Sequence, residues 1–149
     1  MKNCIVIFII LLNSLVVYSQ GTYKKVYKYG EYNDNWAMVK TISGTYGFIN
    51  REGQEVVPSI YAKIYKFGGC GVDFVLLKTI SGMYGLINKE GKEVVPTIYA
   101  RIEKFDTVIS GVAIVKSISG NYGAINREGK EIIPTVYKRD EVVQRAKAL

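Results

Sequence analysis

Histidine is absent from this chain, and no motif constrains function as much as that absence does. Without imidazole, a Ser-His-Asp or Cys-His mechanism is excluded and the commonest zinc ligand is missing. Cysteine is nearly absent too. Cys4 lies in an N-terminal segment expected to be removed, and Cys70 then has no internal partner for a disulfide. It is left as a bystander in a variable loop or a point of cross-linking to another chain. Tryptophan occurs once and proline three times. Apolar residues run on without interruption only near the N-terminus, so the rest of the chain offers no membrane-spanning segment.

That N-terminal run has the layout of a secretory leader. Lys2 supplies the positive start, Cys4 to Val17 is apolar except for Asn13 and Ser14, and Val17-Tyr18-Ser19 precedes Gln20. The run is short of the roughly 20 apolar residues that a span requires. Residues 1–20 are therefore expected to be a signal peptide cleaved near Ser19–Gln20. The mature chain is expected to be exported, whether to the periplasm, the cell surface or the medium. The whole chain carries 20 basic and 13 acidic residues, a net charge of +7.

What is present is a repeat. Tyr23, Tyr61, Tyr99 and Tyr137 fall 38 residues apart, and three blocks beginning at Thr41, Thr79 and Ser117 align without a gap. A fixed spacing of this size marks stacked supersecondary units. Each unit reads as β. Trp36–Val39, Phe74–Leu77 and Val112–Val115 are short runs rich in strand formers. Each leads through Ser-Gly into Tyr-Gly-X-Ile-Asn, starting at Tyr46-Gly47, Tyr84-Gly85 and Tyr122-Gly123. Asn-[Arg/Lys]-Glu-Gly follows and predicts a type I turn, with Gly53, Gly91 and Gly129 left-handed. A third strand comes next, and Pro58, Pro96 and Pro134 are expected to end its pairing.

The expected fold is all-β, with three antiparallel three-stranded meanders at about 36–57, 74–95 and 112–133, stacked as an open solenoid-like array over 21–137. Residues 58–73 and 96–111 would connect them, after a lead-in over 21–35. Asn35, Asp73 and Gly111 share a column that tolerates positive φ, which predicts a bend there. No apolar stripe of helical period survives two turns. The candidate helix is Asp140–Leu149, capped by Asp140, within a tail over 138–149 that is either helical or frayed.

The run Tyr-Gly-X-Ile-Asn-X-X-Gly-X-Glu-Val-Val-Pro-X-X-Tyr resembles the WG repeat, also called the KWG repeat, of bacterial proteins. The resemblance covers essentially all of 23–137. Those repeats carry a signature tryptophan where Tyr46, Tyr84 and Tyr122 stand here. The ring needed for packing is kept and the indole N–H is not. The resemblance implies a binding or scaffolding array and offers no catalytic residue to carry over.

Three sets of columns remain to be weighed. Glu52/Glu55, Glu90/Glu93 and Glu128/Glu131 are paired carboxylates such as a glycosidase uses, yet they flank the hairpin glycine in every copy. A hairpin recurs three times far more readily than an active site does. The tyrosine columns Tyr46/Tyr84/Tyr122 and Tyr23/Tyr61/Tyr99/Tyr137 suit either the core between units or stacking on sugar rings. Lys25, Lys63, Arg101 and Arg139 form one basic column, Lys28, Lys66 and Lys104 a second, and Lys40, Lys78 and Lys116 a third. Aligned by stacking, they make either a binding stripe for an anionic polymer or membrane surface, or a solvated face that keeps sheet edges soluble. The expectation is a non-catalytic exported binding or scaffolding protein for protein or cell-envelope partners, without metal or cofactor and with no nucleic-acid partner. Anionic glycan binding and a purely structural envelope role stand as alternatives.

Overall fold

The computed structural model describes residues 23–149, so the leader expected over 1–20 lies outside the described residues. Twelve strands form three four-stranded antiparallel sheets, and one helix follows. The first sheet contains β1 (Tyr23–Val26), β2 (Ala37–Thr41), β3 (Tyr46–Ile49) and β4 (Glu55–Tyr61), in that spatial order. The second contains β5 (Lys63–Ile64), β6 (Val75–Lys78), β7 (Tyr84–Ile87) and β8 (Glu93–Tyr99). The third contains β9 (Arg101–Ile102), β10 (Val112–Lys116), β11 (Tyr122–Asn126) and β12 (Glu131–Tyr137), and α1 (Arg139–Lys147) closes the chain.

Each unit thus has four strands where the sequence predicts three. The additional strand comes from segments expected only to lead in or to connect. β4 passes through the single residue Ala62 into β5, so one stretch of chain is the last strand of one sheet and the first of the next. A two-residue strand such as Lys63-Ile64 has too few positions for an alternating pattern to reveal it.

Proline does not end the third strand of each unit. Pro58, Pro96 and Pro134 lie inside β4, β8 and β12. In the first sheet Phe48 opposes Val57 and Tyr46 opposes Tyr61, so Gly47 alone faces Pro58-Ser59-Ile60. β4 therefore arches over β3 in a bulge, where a missing N–H leaves no ladder bond unmade. The arch comes so close that a Cβ on Gly47 would lie 2.5–2.7 Å from Ser59 and the Val57 carbonyl. Gly85 and Gly123 are hemmed in the same way. The Tyr-Gly signature is a consequence of this approach.

The hairpin glycines behave as the sequence predicts. Gly91 has φ +79°, and its N–H donates to the Asn88 carbonyl at 3.1 Å. At the column of Asn35, Asp73 and Gly111, turns form but only Gly111 is left-handed; the non-glycine residue at positive φ among the described residues is Asp106, at φ 64°.

Alternation along the strands gives every sheet two apolar faces, and stacking buries one against the other. Trp36, Phe48, Val57 and Tyr61 of the first sheet pack on Ile64, Val75, Leu77 and Ile87 of the second. Phe74, Leu86, Val95 and Tyr99 of the second pack on Ile102, Ala113, Val115 and Ile125 of the third. The remaining face of the third sheet, with Val112, Ile114, Ala124 and Ile133, receives Val142 and Ala146 of α1. Burial of each large side chain stabilises by about 1.5–3 kcal/mol. Down the column Phe48, Leu86, Ala124 the side chain shrinks, and the space it vacates is where the helix docks. The helix starts earlier than the sequence suggests. Lys138, not Asp140, is its cap, and the Lys138 N–H donates to Glu141 Oε2 at 3.1 Å.

Cys70 is no loop bystander. It is buried among Phe74 and Phe105, its Sγ donates to the Glu103 carbonyl at 3.3 Å, and burial pushes its thiol up to about 11. That placement closes off cross-linking.

Candidate functional site

The ladder registers bring together residues that are far apart in sequence. In the first sheet Lys25 faces Lys40, Lys40 faces Tyr46, and Tyr46 faces Tyr61. In the second the order is Lys63, Lys78, Tyr84 and Tyr99. In the third it is Arg101, Lys116, Tyr122 and Tyr137. Every sheet therefore carries one transverse row of two cations and two tyrosines, at the end where β2 turns into β3, β6 into β7 and β10 into β11.

Like charges directly opposite across an antiparallel pair destabilise it. Such a pair nevertheless occurs in all three sheets. The tyrosines relieve part of the repulsion. Lys40, Lys78 and Lys116 stand over the rings of Tyr46, Tyr84 and Tyr122 at 5.2, 5.3 and 5.4 Å, and Lys25 and Lys63 each lie 4.4 Å above Tyr27 and Tyr65. A hydrogen bond to Tyr46 raises the Lys40 pKa, and one to Lys78 lowers that of Tyr84. Neither contact removes a positive charge, so the rows stay cationic.

The basic columns are not all used alike. Lys25, Lys63 and Arg101 stand exposed in the rows. Lys28, Lys66 and Lys104 are exposed too but lie three residues further along, beyond the short first strands. Arg139 opens α1 instead of a fourth sheet, and its guanidinium forks onto Glu103 at 2.9 and 2.8 Å. That bond holds the Glu103 carboxyl below its usual range and commits Arg139 to docking the helix. Around the pair lies an open polar cleft of about 460 Å³, lined also by Arg101, Lys104, Thr107 and Tyr122.

The tyrosine columns divide between the two roles open to them. Tyr61 and Tyr99 are buried in the interfaces between sheets, and burial raises their pKa values. Tyr46, Tyr84 and Tyr122 are half-buried and keep an edge toward solvent beside the lysines. Of the carboxylate pairs, Glu52, Glu90 and Glu128 stand exposed on the hairpins, while Glu55 and Glu131 accept hydrogen bonds from Ser59 and Thr135.

One feature of this end escapes a reading by columns of charge. Ile42, Ile80 and Ile118 sit in the Thr/Ser-Ile-Ser-Gly turns and are among the most exposed large apolar residues. Ile60, Ile98 and Val136 ride on the arches of β4, β8 and β12, also exposed. The signal available in sequence was an isoleucine in the middle of a turn otherwise made of Thr, Ser and Gly.

Among the described residues, no group of acidic or sulfur side chains is placed to hold a metal ion, and no helix is long and apolar enough to cross a membrane. Segments 46–72, 84–119 and 122–139, more than half of the chain, match the family described as "WG containing repeat". No curated protein and no solved structure matches the chain.

Proposed function

The chain belongs to the WG-containing repeat family, and from that premise we propose that it is a non-catalytic binding and scaffolding array whose cation–tyrosine rows engage an extended anionic partner outside the cytoplasm. The observation that carries this reading is the set of facing cations Lys25–Lys40, Lys63–Lys78 and Arg101–Lys116. A fold selected only for stability would not place like charges opposite each other in every unit. An anionic ligand lying across the rows turns that repulsion into attraction, and three equivalent rows supply avidity. The total absence of histidine supports a role without general acid–base chemistry by imidazole. The leader-like residues 1–20 support export.

Retention on a heparin column tests the reading. The parent chain is expected to be held at ~50 mM salt and released at ~200 mM, where screening is stronger. Replacing Lys25, Lys63 and Arg101 together with glutamine is expected to abolish retention while the melting temperature stays close to that of the parent. Retention that ignores both salt and the replacements would overturn the reading and leave a purely structural envelope component.

A further inference from the structure

The end of the array that carries the cationic rows also carries a set of protruding isoleucines, and the combination specifies the partner further. The three turns are built alike. Thr41, Thr79 and Ser117 each accept at the carbonyl from the glycine three residues on, at 3.1, 3.0 and 3.1 Å. Their hydroxyls each meet the serine two residues on at 2.8 Å. Those bonds fix the turn and leave its second residue pointing away from the sheet. Ile42, Ile80 and Ile118 are 73%, 76% and 73% exposed. Nothing lies within 4 Å of where a Cβ on Gly44, Gly82 or Gly120 would sit, so the turns stand clear of their surroundings.

An aliphatic side chain on a convex tip has no pocket to share with a folded partner, which would have to supply a socket for each tip at a matching spacing. A fluid interface needs no such match. Immediately behind the tips stand the facing cations and the half-buried tyrosines Tyr46, Tyr84 and Tyr122. Aliphatic tips standing in front of one row of tyrosine rings and ammonium groups match a bilayer, which offers acyl chains beneath an interface of anionic headgroups. Resting on the reading of the rows as an anion-binding surface, we infer that this end of the array docks on an anionic lipid bilayer, with Ile42, Ile80 and Ile118 inserted beneath the headgroups. The stacked sheets set the tips roughly 10 Å apart, so all three reach one surface together.

Co-sedimentation of the full chain with vesicles tests the inference. Vesicles of phosphatidylglycerol mixed with phosphatidylcholine are expected to retain the parent, and phosphatidylcholine alone is not. Replacing Ile42, Ile80 and Ile118 with serine is expected to weaken the partition by about a hundredfold, roughly fivefold for each half-inserted side chain. The same variant is expected to keep its heparin retention and its melting temperature. Because residues 1–20 could also enter lipid, a second probe reads the tip directly. Ile80→Trp places an exposed indole on the turn, against the buried background of Trp36. Its emission is expected to shift to the blue on the anionic vesicles and to stay put with heparin. Equal binding of the triple serine variant, equal binding to phosphatidylcholine, or an unmoved Ile80→Trp emission would each overturn the lipid inference. If the lysine-dependent heparin retention survives any of those results, the anion-binding reading stands without it. Loss of both means the rows bind nothing.

Discussion

The two ends of the sheets are built from the same repeat and do opposite things with charge. At the end of the β3–β4, β7–β8 and β11–β12 hairpins, acids and bases neutralise each other, within units and, through Arg127 and Asp73, between them. Lys89 pairs with Asp73 at 3.0 Å, and Arg127 reaches both Asp73 and Asp106. Asn33 of the first unit donates to the Lys89 carbonyl of the second at 3.0 Å. At the opposite end the cations face each other, while Glu103 is taken up by Arg139 of the helix, and exposed isoleucines stand beside the rows. The difference shows how a stacked array divides its labour: one edge joins the units and the other keeps its facing cations and exposed isoleucines.

The hairpin end is where the largest effects should appear. A Cβ on Gly129 would strike the Val94 carbonyl of the preceding sheet, one on Gly91 would lie 2.9 Å from Val56 and 3.1 Å from Trp36, and one on Gly53 would meet nothing. All three have positive φ. Gly129→Ala is therefore expected to cost about 3 kcal/mol or more, Gly91→Ala about 2 and Gly53→Ala about 1, by strain alone in the last case. Urea unfolding of the three variants checks the order. Equal losses would mean that the hairpins do not touch the neighbouring sheet.

The cap offers an intermediate effect. Ala124→Leu gives the third sheet the residue that the second carries at Leu86 and fills the space taken by α1. It should destabilise by about 1–3 kcal/mol through overpacking, with loss of helical circular dichroism at temperatures where strand signal persists. Unchanged helix content would break the link between the shrinking column and the cap.

The smallest effects sharpen the contrast of charge. Arg127→Gln removes exposed ion pairs and is expected to cost about 0.5 kcal/mol. Lys63→Gln removes one member of a facing pair and is expected to leave the melting temperature level or slightly higher at low salt. A cation lost from either end with the same penalty would erase the distinction.

Much of this was legible in sequence because its causes are local. The repeat, the β character and the left-handed hairpin glycines follow from spacing, side-chain type and backbone preference. Pro58 was misjudged because its tolerance depends on Gly47 in the neighbouring strand. The fourth strand of each sheet escaped because Lys63-Ile64 and Arg101-Ile102 owe their pairing to what lies beside them. The basic columns were visible, but the facing of Lys63 with Lys78 is a fact of register. So is the loss of Arg139 to Glu103, which required the helix to be in place.

The single stretch Glu55–Ile64, which leaves one sheet and enters the next across Ala62, also bears on how such a chain can lengthen. The sheets recur at the same 38-residue period as the sequence, so a duplicated segment of that length supplies one sheet's worth of strands wherever it starts. Wherever within the array the breakpoint falls, the inserted piece completes its neighbours as four-stranded sheets, and the helix after the last sheet is undisturbed. A gene encoding this fold can therefore gain or lose units by slippage without needing the cut to respect a structural boundary.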